Sequence, residues 1–358
     1  MAFLSDHEMA TLWDVVSARR VEAERIAAAS RPADNFSTDY MEISGAWTWL
    51  PAGCLDSAQS WPALASKQAI VDRSAWLNEA PGRGRCRIDA AGELKPGQPP
   101  LKRAVQLLGA AFEAWSSFAA SVQWSETRVV LFAPEGVEAD AWLDAVMSQW
   151  PDALGVRSVV VASASVEDWF DQCLSNASGV QGLLLLSVDS RLSSRGRATV
   201  CAGHVSGECI TALHLQRVES GPAEAAGGWR LYPAQRTEHE SRDLQLQTDT
   251  SDIARVVQSL EEVSGICAVQ MMGVVTDGAT TDRLLTQLTT FMTTSLEPHP
   301  PIERMVGVAA LAGGVGHTAT LLTQLAVAYL LAIERAEGAV LVLDRYRGDV
   351  TAGWLLAR

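Results

Sequence analysis

The sequence predicts an α/β protein built from two similar halves, each with a parallel or mixed sheet buried between helical layers. Continuously apolar strands, such as 180–188, alternate with short amphipathic helices along most of the chain. Strands that are apolar on both faces are typical of sheets covered by helices on both sides. This alternation occurs before and again after a polar stretch at 219–252, which indicates a duplicated architecture without close sequence repetition.

Composition narrows the class of protein further. The chain has 358 residues, of which 48% are apolar, so it can bury a large core. Its net charge of −14 argues against a nucleic-acid partner, because nothing would offset repulsion from phosphates. The chain begins without a signal-peptide pattern and contains no apolar stretch of membrane-spanning length, which predicts a soluble, cytoplasmic protein. The six cysteines are scattered and show no small-domain disulfide pattern.

The first hundred residues predict a helical and irregular extension of this architecture. Ser5 and Glu8 have capping-box spacing at the start of a helix predicted over 5–29. Residues 30–60 show no clear period, which predicts short strands or an irregular wrap, and 78–100 is a loop rich in Gly and Pro.

The tryptophans divide into two predicted groups. Trp115 and Trp142 lie on the apolar faces of predicted helices, which indicates core positions. Trp47, Trp49 and Trp61 lie in irregular sequence, where they are either interface anchors or side chains buried within the chain's own wrap.

The elements of the first half, 101–218, follow from periodicity. A helix begins at Leu101, because apolar residues recur at helical spacing, and a series of alternating strands and helices follows. The predicted strands are 128–132, 156–161, 180–188 and 208–218, and the predicted helices between them are 139–150 and 166–174.

The second half, 253–358, repeats the series after the polar linker or insertion at 219–252. Helices are predicted at 252–263, 281–295 and 319–333, and strands at 266–275, 305–311, 339–343 and 353–356. The charged residues 344–349 are most simply a loop between the last two strands.

A glycine-rich turn between a predicted strand and a predicted helix is the candidate ligand pocket. Glycines allow a sharp turn and close approach to a ligand, and the helix N-terminus adds unpaired N–H groups. The pocket candidates are Gly313, Gly314, Gly316, His317 and Thr318. The alternative for His317 is a structural role, with its ring hydrogen-bonded to backbone.

Four segments resemble the β-ketoacyl synthases of the thiolase superfamily over about 101–358. Residues 180–188 look like the strand after the nucleophile helix, and 207–215 is similar to the family's "GEGA…LVL" strand. Residues 277–281 align with the "HGTxT" loop, and 316–318 matches "GHT". The resemblance implies a thiolase-like five-layer sandwich of two α/β halves with mixed sheets. It also implies a homodimer or heterodimer formed through strand 156–161.

The departures from the family pattern bear on chemistry. The nucleophilic Cys would lie where strand 156–161 turns into the next helix, and this turn contains Ser163 and Ser165 instead. Cys173 lies eight residues beyond Ser165 and cannot occupy the turn. The first catalytic His aligns with Asp277, so only His317 remains of the family's constellation. Acyl transfer needs an activated nucleophile, a base and oxyanion donors.

We therefore predict a non-catalytic thiolase-like protein that acts by binding another protein, as an adaptor, an effector-loading factor or the silent subunit of a heteromer. The alternative is an acyltransferase or β-ketoacyl-synthase-like enzyme that uses Ser163 or Ser165 with Asp277 and His317 on acyl-CoA or acyl-carrier-protein substrates. The third alternative is a non-catalytic module that still binds an acyl chain. No cofactor is expected for any of them.

Two further motifs are weaker. The Gly313–Thr318 run imitates a P-loop, but His317 replaces the phosphate-binding Lys and only 40 residues follow Thr318. Cys201, His204, Cys209 and His214 have zinc-ligand types at knuckle-like spacing. However, positions 209 and 214 differ by an odd number, so they would face apart in a strand. No metal site is therefore predicted.

Overall fold

The computed structural model describes thirteen segments of the chain. They are 41–56, 71–72, 85–93, 98–152, 154–156, 158–175, 182–192, 206–217, 228–239, 249–278, 282–296, 305–335 and 338–358. The helix predicted over 5–29, Trp61 and the zinc candidates Cys201 and His204 lie outside the described residues.

The described chain contains fourteen strands and eight α-helices. The strands are β1 (Met41–Leu50), β2 (Gly53–Leu55), β3 (Val71–Asp72), β4 (Arg85–Cys86), β5 (Thr127–Phe132), β6 (Ser158–Val161), β7 (Gly182–Ser190), β8 (Glu208–Arg217), β9 (Trp229–Leu231), β10 (Gln235–Glu238), β11 (Met271–Thr276), β12 (Met305–Gly307), β13 (Ala339–Asp344) and β14 (Val350–Ala357). The helices are α1 (Pro100–Ala114), α2 (Ser116–Ser121), α3 (Ala139–Gln149), α4 (Val166–Ser175), α5 (Ser251–Ser264), α6 (Asp282–Ser295), α7 (Val308–Ala312) and α8 (His317–Arg335).

The sheet topology confirms the predicted duplication. The strand order is β12-β11-β13-β14-β9-β1-β8-β7-β5-β6. When only the strands in this order are counted along the chain (β1 and β5–β8 in the first half, β9 and β11–β14 in the second), both halves have the same order: third, second, fourth, fifth, first. In each half the second, third and fourth strands run parallel, and the fifth is antiparallel to the fourth. The two first strands, β1 and β9, pair antiparallel and join the halves.

Alternate side chains of each central strand enter different cores, so the molecule has five layers. Val130 of β5 and Val342 of β13 pack with helices α4 and α8 in a shared middle layer. Leu131 points the other way, into an outer layer formed by α1 and α3. Leu343 points into the opposite outer layer, formed by α5 and α6. The α/β fold with mixed sheets predicted from the sequence is therefore confirmed.

Helix α8 is buried along most of its length because strands from both halves of the sheet pack against it. Its three buried polar side chains each donate a hydrogen bond to a backbone carbonyl. Thr320 and Thr323 donate to the carbonyls four residues earlier, at 3.0 and 2.7 Å. Gln324 Nε2 donates to the Leu343 carbonyl at 2.9 Å. No helix in the described residues is long and apolar enough to cross a membrane.

Residues 41–50, for which the sequence predicted short strands or an irregular wrap, form the ten-residue, largely buried strand β1. It pairs with β8 and β9, and a register shift between Ile43 and Gly45 interrupts the regular alternation of its side chains. Because such a bulge breaks the period of two, the strand pattern is hidden in the sequence. Trp47 is fully buried and packs edge-on against Trp49 and Trp115, with ring centroids 6.1 Å apart in each pair.

Two other elements differ from expectation. The apolar run 305–311, predicted as one strand, divides into the three-residue strand β12 and the helix α7. Short apolar runs do not distinguish strand from helix by periodicity alone. Within the polar stretch 219–252, β9 and β10 pair with β14, although each has only three or four residues. The predicted domain bounds remain a prediction, but both 1–100 and 219–252 contribute strands to the sheets.

Candidate functional site

Three element ends converge at the candidate site. His317 is the first residue of α8, Glu167 lies in the first turn of α4, and Asp344 is the last residue of β13. The Nε2 atom of His317 lies 2.5 Å from Asp344 Oδ2 and 3.4 Å from Glu167 Oε1. Both carboxylates are buried, while the His317 side chain is 19% exposed. The imidazole is therefore held between two carboxylates at the rim of the middle layer.

The Asp344 carboxylate and the imidazole are both held in place by Tyr346. The backbone N–H of Tyr346 donates to Asp344 Oδ1 at 3.0 Å, which leaves Oδ2 for His317. The Tyr346 ring stacks on the His317 ring, with centroids 4.8 Å apart and an interplanar angle of 25°. The segment expected to be a charged loop thus begins with a buried carboxylate that bonds the site histidine.

Electrostatics favour the charged form of this imidazole. Burial lowers the pKa of His317, but the hydrogen bond that it donates to Asp344 and the charges of Asp344 and Glu167 outweigh this effect. The pKa of His317 is therefore raised above its ordinary value. The sequence left open a structural role in which the His317 ring is hydrogen-bonded to backbone. Its Nε2 atom is instead bonded to the side-chain carboxylate of Asp344.

The glycine turn before His317 is held by the first half of the molecule. Gly316 N donates to Asp189 Oδ2, at the end of β7, at 2.6 Å. Burial raises the pKa of Asp189 to about 6, although the Gly316 N–H opposes the shift. Gly207 N donates to the Gly314 carbonyl at 2.9 Å. Gly313 has φ +76°, a conformation that favours glycine, and it follows helix α7 rather than the expected strand.

The expected serine nucleophiles are not bonded to the histidine. Ser165 Oγ accepts the backbone N–H of Asp168 at 3.1 Å and donates to Asp168 Oδ2 at 2.8 Å, which caps α4. Ser163 is exposed on the turn between β6 and α4. Within the described chain, no hydrogen bond joins either hydroxyl to His317.

Asp277, the other expected catalytic residue, lies buried at the end of β11 beside a different group. Its backbone carbonyl accepts the Ala309 N–H at 3.2 Å, and its carboxylate interacts electrostatically with Arg345. Arg345 donates to Asp252 Oδ2 and Gln287 Oε1, both at 3.0 Å. Burial lowers the pKa of Arg345, and the two aspartates oppose this. Thr318 is half-buried in the first turn of α8.

Sequence reasoning therefore found His317 and its glycine turn but missed both carboxylates that contact it. Two signals were available. Asp344 ends an apolar strand, and Glu167 follows the Ser165 cap in the first turn of a helix. In α/β folds, polar groups of binding sites gather at such strand ends and at the helix starts beside them. Of the zinc-like motif, the two described residues face apart: Cys209 faces the middle layer, and His214 contacts Ser44 on the other face of β8.

Comparison with known proteins gives the fold. No protein-family model and no curated protein matches the chain. Among solved structures, the ishigamide ketosynthase/chain length factor is 16% identical with a TM-score of 0.60, covering 88% of this chain and 99% of that one. The fold is thiolase-like.

Other solved structures agree with this thiolase-like fold. The ketosynthase from module 1 of the bacillaene synthase of Bacillus amyloliquefaciens FZB42 has 12% identity and a TM-score of 0.58, and covers 90% of this chain and 74% of that one. The AntDE:AntF complex, a type II PKS acyl-carrier protein with its ketosynthase, has 11% identity and a TM-score of 0.57, covering 89% and 99%. At these identities the likeness concerns the fold and not the chemistry.

Proposed function

We propose that this thiolase-like protein carries out no condensation and acts by binding another protein, as an adaptor, an effector-loading factor or the silent subunit of a heteromer. Of these three roles, we favour the silent subunit. The observation that carries the proposal is the separation of Ser165 from His317. Each is engaged by a different acidic partner, Asp168 for the hydroxyl and Asp344 for the imidazole.

This separation removes two requirements of acyl transfer. A serine becomes nucleophilic when a base takes its proton. The Ser165 proton is donated to the Asp168 carboxylate, whose own negative charge belongs to an exposed helix cap. The raised pKa of His317 favours the imidazolium, which has no lone pair available to accept a proton from a serine. The site therefore lacks a coupled nucleophile and base.

The proposed interaction surface is the edge strand β6. Among the described strands, β6 pairs only with β5 and ends the strand order. Val160, in its centre, is 40% exposed. An unpaired apolar edge is a template for strand pairing with another chain. We propose that a second thiolase-like chain, identical or different, covers this edge, in keeping with the dimer expected from the family resemblance.

Two of the similar solved structures are of kinds that suit this proposal. One is a ketosynthase/chain length factor, and the other is an acyl-carrier protein in complex with its ketosynthase. A partner ketosynthase-like chain is therefore the first candidate, and an acyl-carrier protein is the second.

One observation favours the enzymatic alternative. A serine–histidine pair needs a third group that orients the imidazole, and Asp344 offers such a carboxylate at 2.5 Å. For this arrangement to work, the other ring nitrogen of His317 would have to face Ser163 or Ser165. The enzyme would then act on acyl-CoA or acyl-carrier-protein substrates.

Intact-mass spectrometry tests the proposal directly. The purified protein is incubated with a panel of acyl-CoA and acyl-carrier-protein donors, beside the variants Ser165→Ala and His317→Ala. We expect no covalent adduct with any donor in protein shown by circular dichroism to be folded. A stoichiometric acyl adduct on Ser163 or Ser165 that His317→Ala abolishes would overturn the proposal and establish an acyltransferase.

A further inference from the structure

We propose that Glu167, His317 and Asp344 form a binding site for one divalent transition-metal ion, of the Zn²⁺ or Mn²⁺ class. This inference concerns ligand binding and does not depend on the proposed function. Each side chain offers one ligand atom, and these three atoms all lie within 4.8 Å of one another, which is close enough for them to share one ion.

The distances are close to those that a metal requires. Zinc binds His nitrogen and carboxylate oxygen at about 2.0–2.2 Å, so neighbouring ligand atoms on one ion lie roughly 3–3.5 Å apart. The two measured distances from His317 Nε2 are 2.5 Å to Asp344 and 3.4 Å to Glu167. Small side-chain movements would therefore place all three atoms around one ion.

The Glu167 carboxylate points to an ion more strongly than a simple ion pair does. It is 7% exposed, and its Oε1 lies 3.4 Å from His317 Nε2, whose shorter contact, at 2.5 Å, is with Asp344. Two buried carboxylates therefore share one imidazole, and a buried negative charge is costly unless it is fully compensated. A cation between the three groups would give each oxygen and the nitrogen a ligand bond.

The surroundings orient the ligands and leave room for others. Tyr346 fixes Asp344 by its backbone N–H and packs on the imidazole ring, which is the kind of outer support that metal ligands need. The partial exposure of His317 leaves an entry path and open coordination positions for water. Two carboxylates neutralise a divalent charge, and one imidazole favours Zn²⁺ or Mn²⁺ over Mg²⁺ or Ca²⁺, which prefer oxygen ligands only.

Metal titration of the full chain tests the site. Tag-free protein, stripped with a chelator, is titrated with ZnCl₂ by calorimetry and with CoCl₂ by visible absorption. We expect one ion per chain and a cobalt spectrum without thiolate charge-transfer bands. Glu167→Gln should lower the affinity at least tenfold, and Asp344→Asn should do the same. Asp168→Asn, which removes an exposed carboxylate from the same helix turn, should bind as the parent does.

The controls make a negative result informative. Metal-free Glu167→Gln should melt at or above the temperature of the metal-free parent, because it replaces a buried charge with a neutral isostere. Absence of stoichiometric binding, equal affinity in folded Glu167→Gln, or cobalt bound through thiolate would each overturn the metal site. None of these outcomes changes the acyl-adduct result, so the two proposals fail separately.

Discussion

At the scale of single residues, His214 is a buried base held in its neutral form. It lies on β8, and its Nδ1 is 2.7 Å from Ser44 Oγ, while Nε2 is 3.5 Å from Thr127 Oγ1. Neither contact supplies a negative charge. Burial lowers the pKa of His214 to about 4. The folded protein therefore keeps His214 neutral at pH values at which the unfolded chain would protonate it.

This predicts a pH-dependent loss of stability. Because the folded pKa is below the unfolded value, the contribution of His214 is complete above about pH 6.5 and is lost as the pH falls towards 4. The loss is on the order of 3 kcal/mol across this window. We expect His214→Gln to reduce the slope of the free energy of unfolding against pH, measured by urea denaturation between about pH 7 and about pH 4. Equal slopes in both proteins would contradict this origin.

Arg103 and Glu208 form a fully buried ion pair on the same face of β8 as His214. Arg103 Nε and Nη2 donate to the two Glu208 oxygens at 2.7 and 2.8 Å, and Ser190 Oγ donates to the same carboxylate at 2.8 Å. Arg103→Met should destabilise folding by about 3–5 kcal/mol, because it leaves a buried carboxylate without its cation. The double variant with Glu208→Gln should recover part of this loss in urea denaturation. A double variant as unstable as the single one would show that charge pairing is not the cause.

At the scale of elements, the turn before β8 and the glycine turn before α8 are in backbone contact. Gly207 donates its N–H to the Gly314 carbonyl, and the neighbouring Ser206 pairs with Gly314 in an isolated bridge. A Cβ atom at position 207 would overlap the Ala312 carbonyl oxygen. The close approach that positions His317 therefore depends on the absence of a side chain at this one residue.

Gly207→Ala should consequently disturb both turns at once. We expect a loss of about 1–3 kcal/mol in the free energy of unfolding, which is typical of an overpacked interior position. Gly155→Ala is the matched control, because a Cβ at position 155 meets no atom within 4 Å. The comparison is made by urea denaturation at neutral pH, and equal stability of the two variants would show that the turns separate without cost.

At the scale of the whole molecule, the duplicated topology leaves β6 at one end of the strand order. The opposite end is β12, which has only three residues. Val160 on β6 and Leu285 on α6 are both exposed apolar side chains. They differ in that only Val160 lies on a strand whose outer edge has no pairing partner among the described strands.

If β6 is the interaction surface, a charge there should weaken association. Val160→Lys should shift the protein, alone or with its partner chain, towards the monomer in sedimentation velocity, since a charged side chain blocks edge pairing. Leu285→Lys, which adds the same charge on an exposed helix, should leave the association unchanged. An unaltered distribution in Val160→Lys would move the interface to another surface.

The sequence by itself determined the class of fold, because apolar periodicity is a local property that survives in the order of residues. The paired series of strands and helices, the largely apolar α8 and the turn before His317 all follow from that pattern. The motifs at 277–281 and 316–318 then indicated a thiolase-like arrangement, and the topology agrees with it. The absence of a Cys at the turn after β6 was equally visible in the sequence.

Only the tertiary structure decided what each polar residue contacts, because the partners come from distant parts of the chain. Asp344 and Glu167 are far apart in sequence, yet both reach His317 because α4, α8 and β13 end at one place. Strand β1 was hidden for a related reason: its bulge breaks the local period, and its identity comes from pairing with β8. Asp277, aligned with a catalytic histidine, interacts instead with Arg345, a partner set by the packing of β11 beside β13.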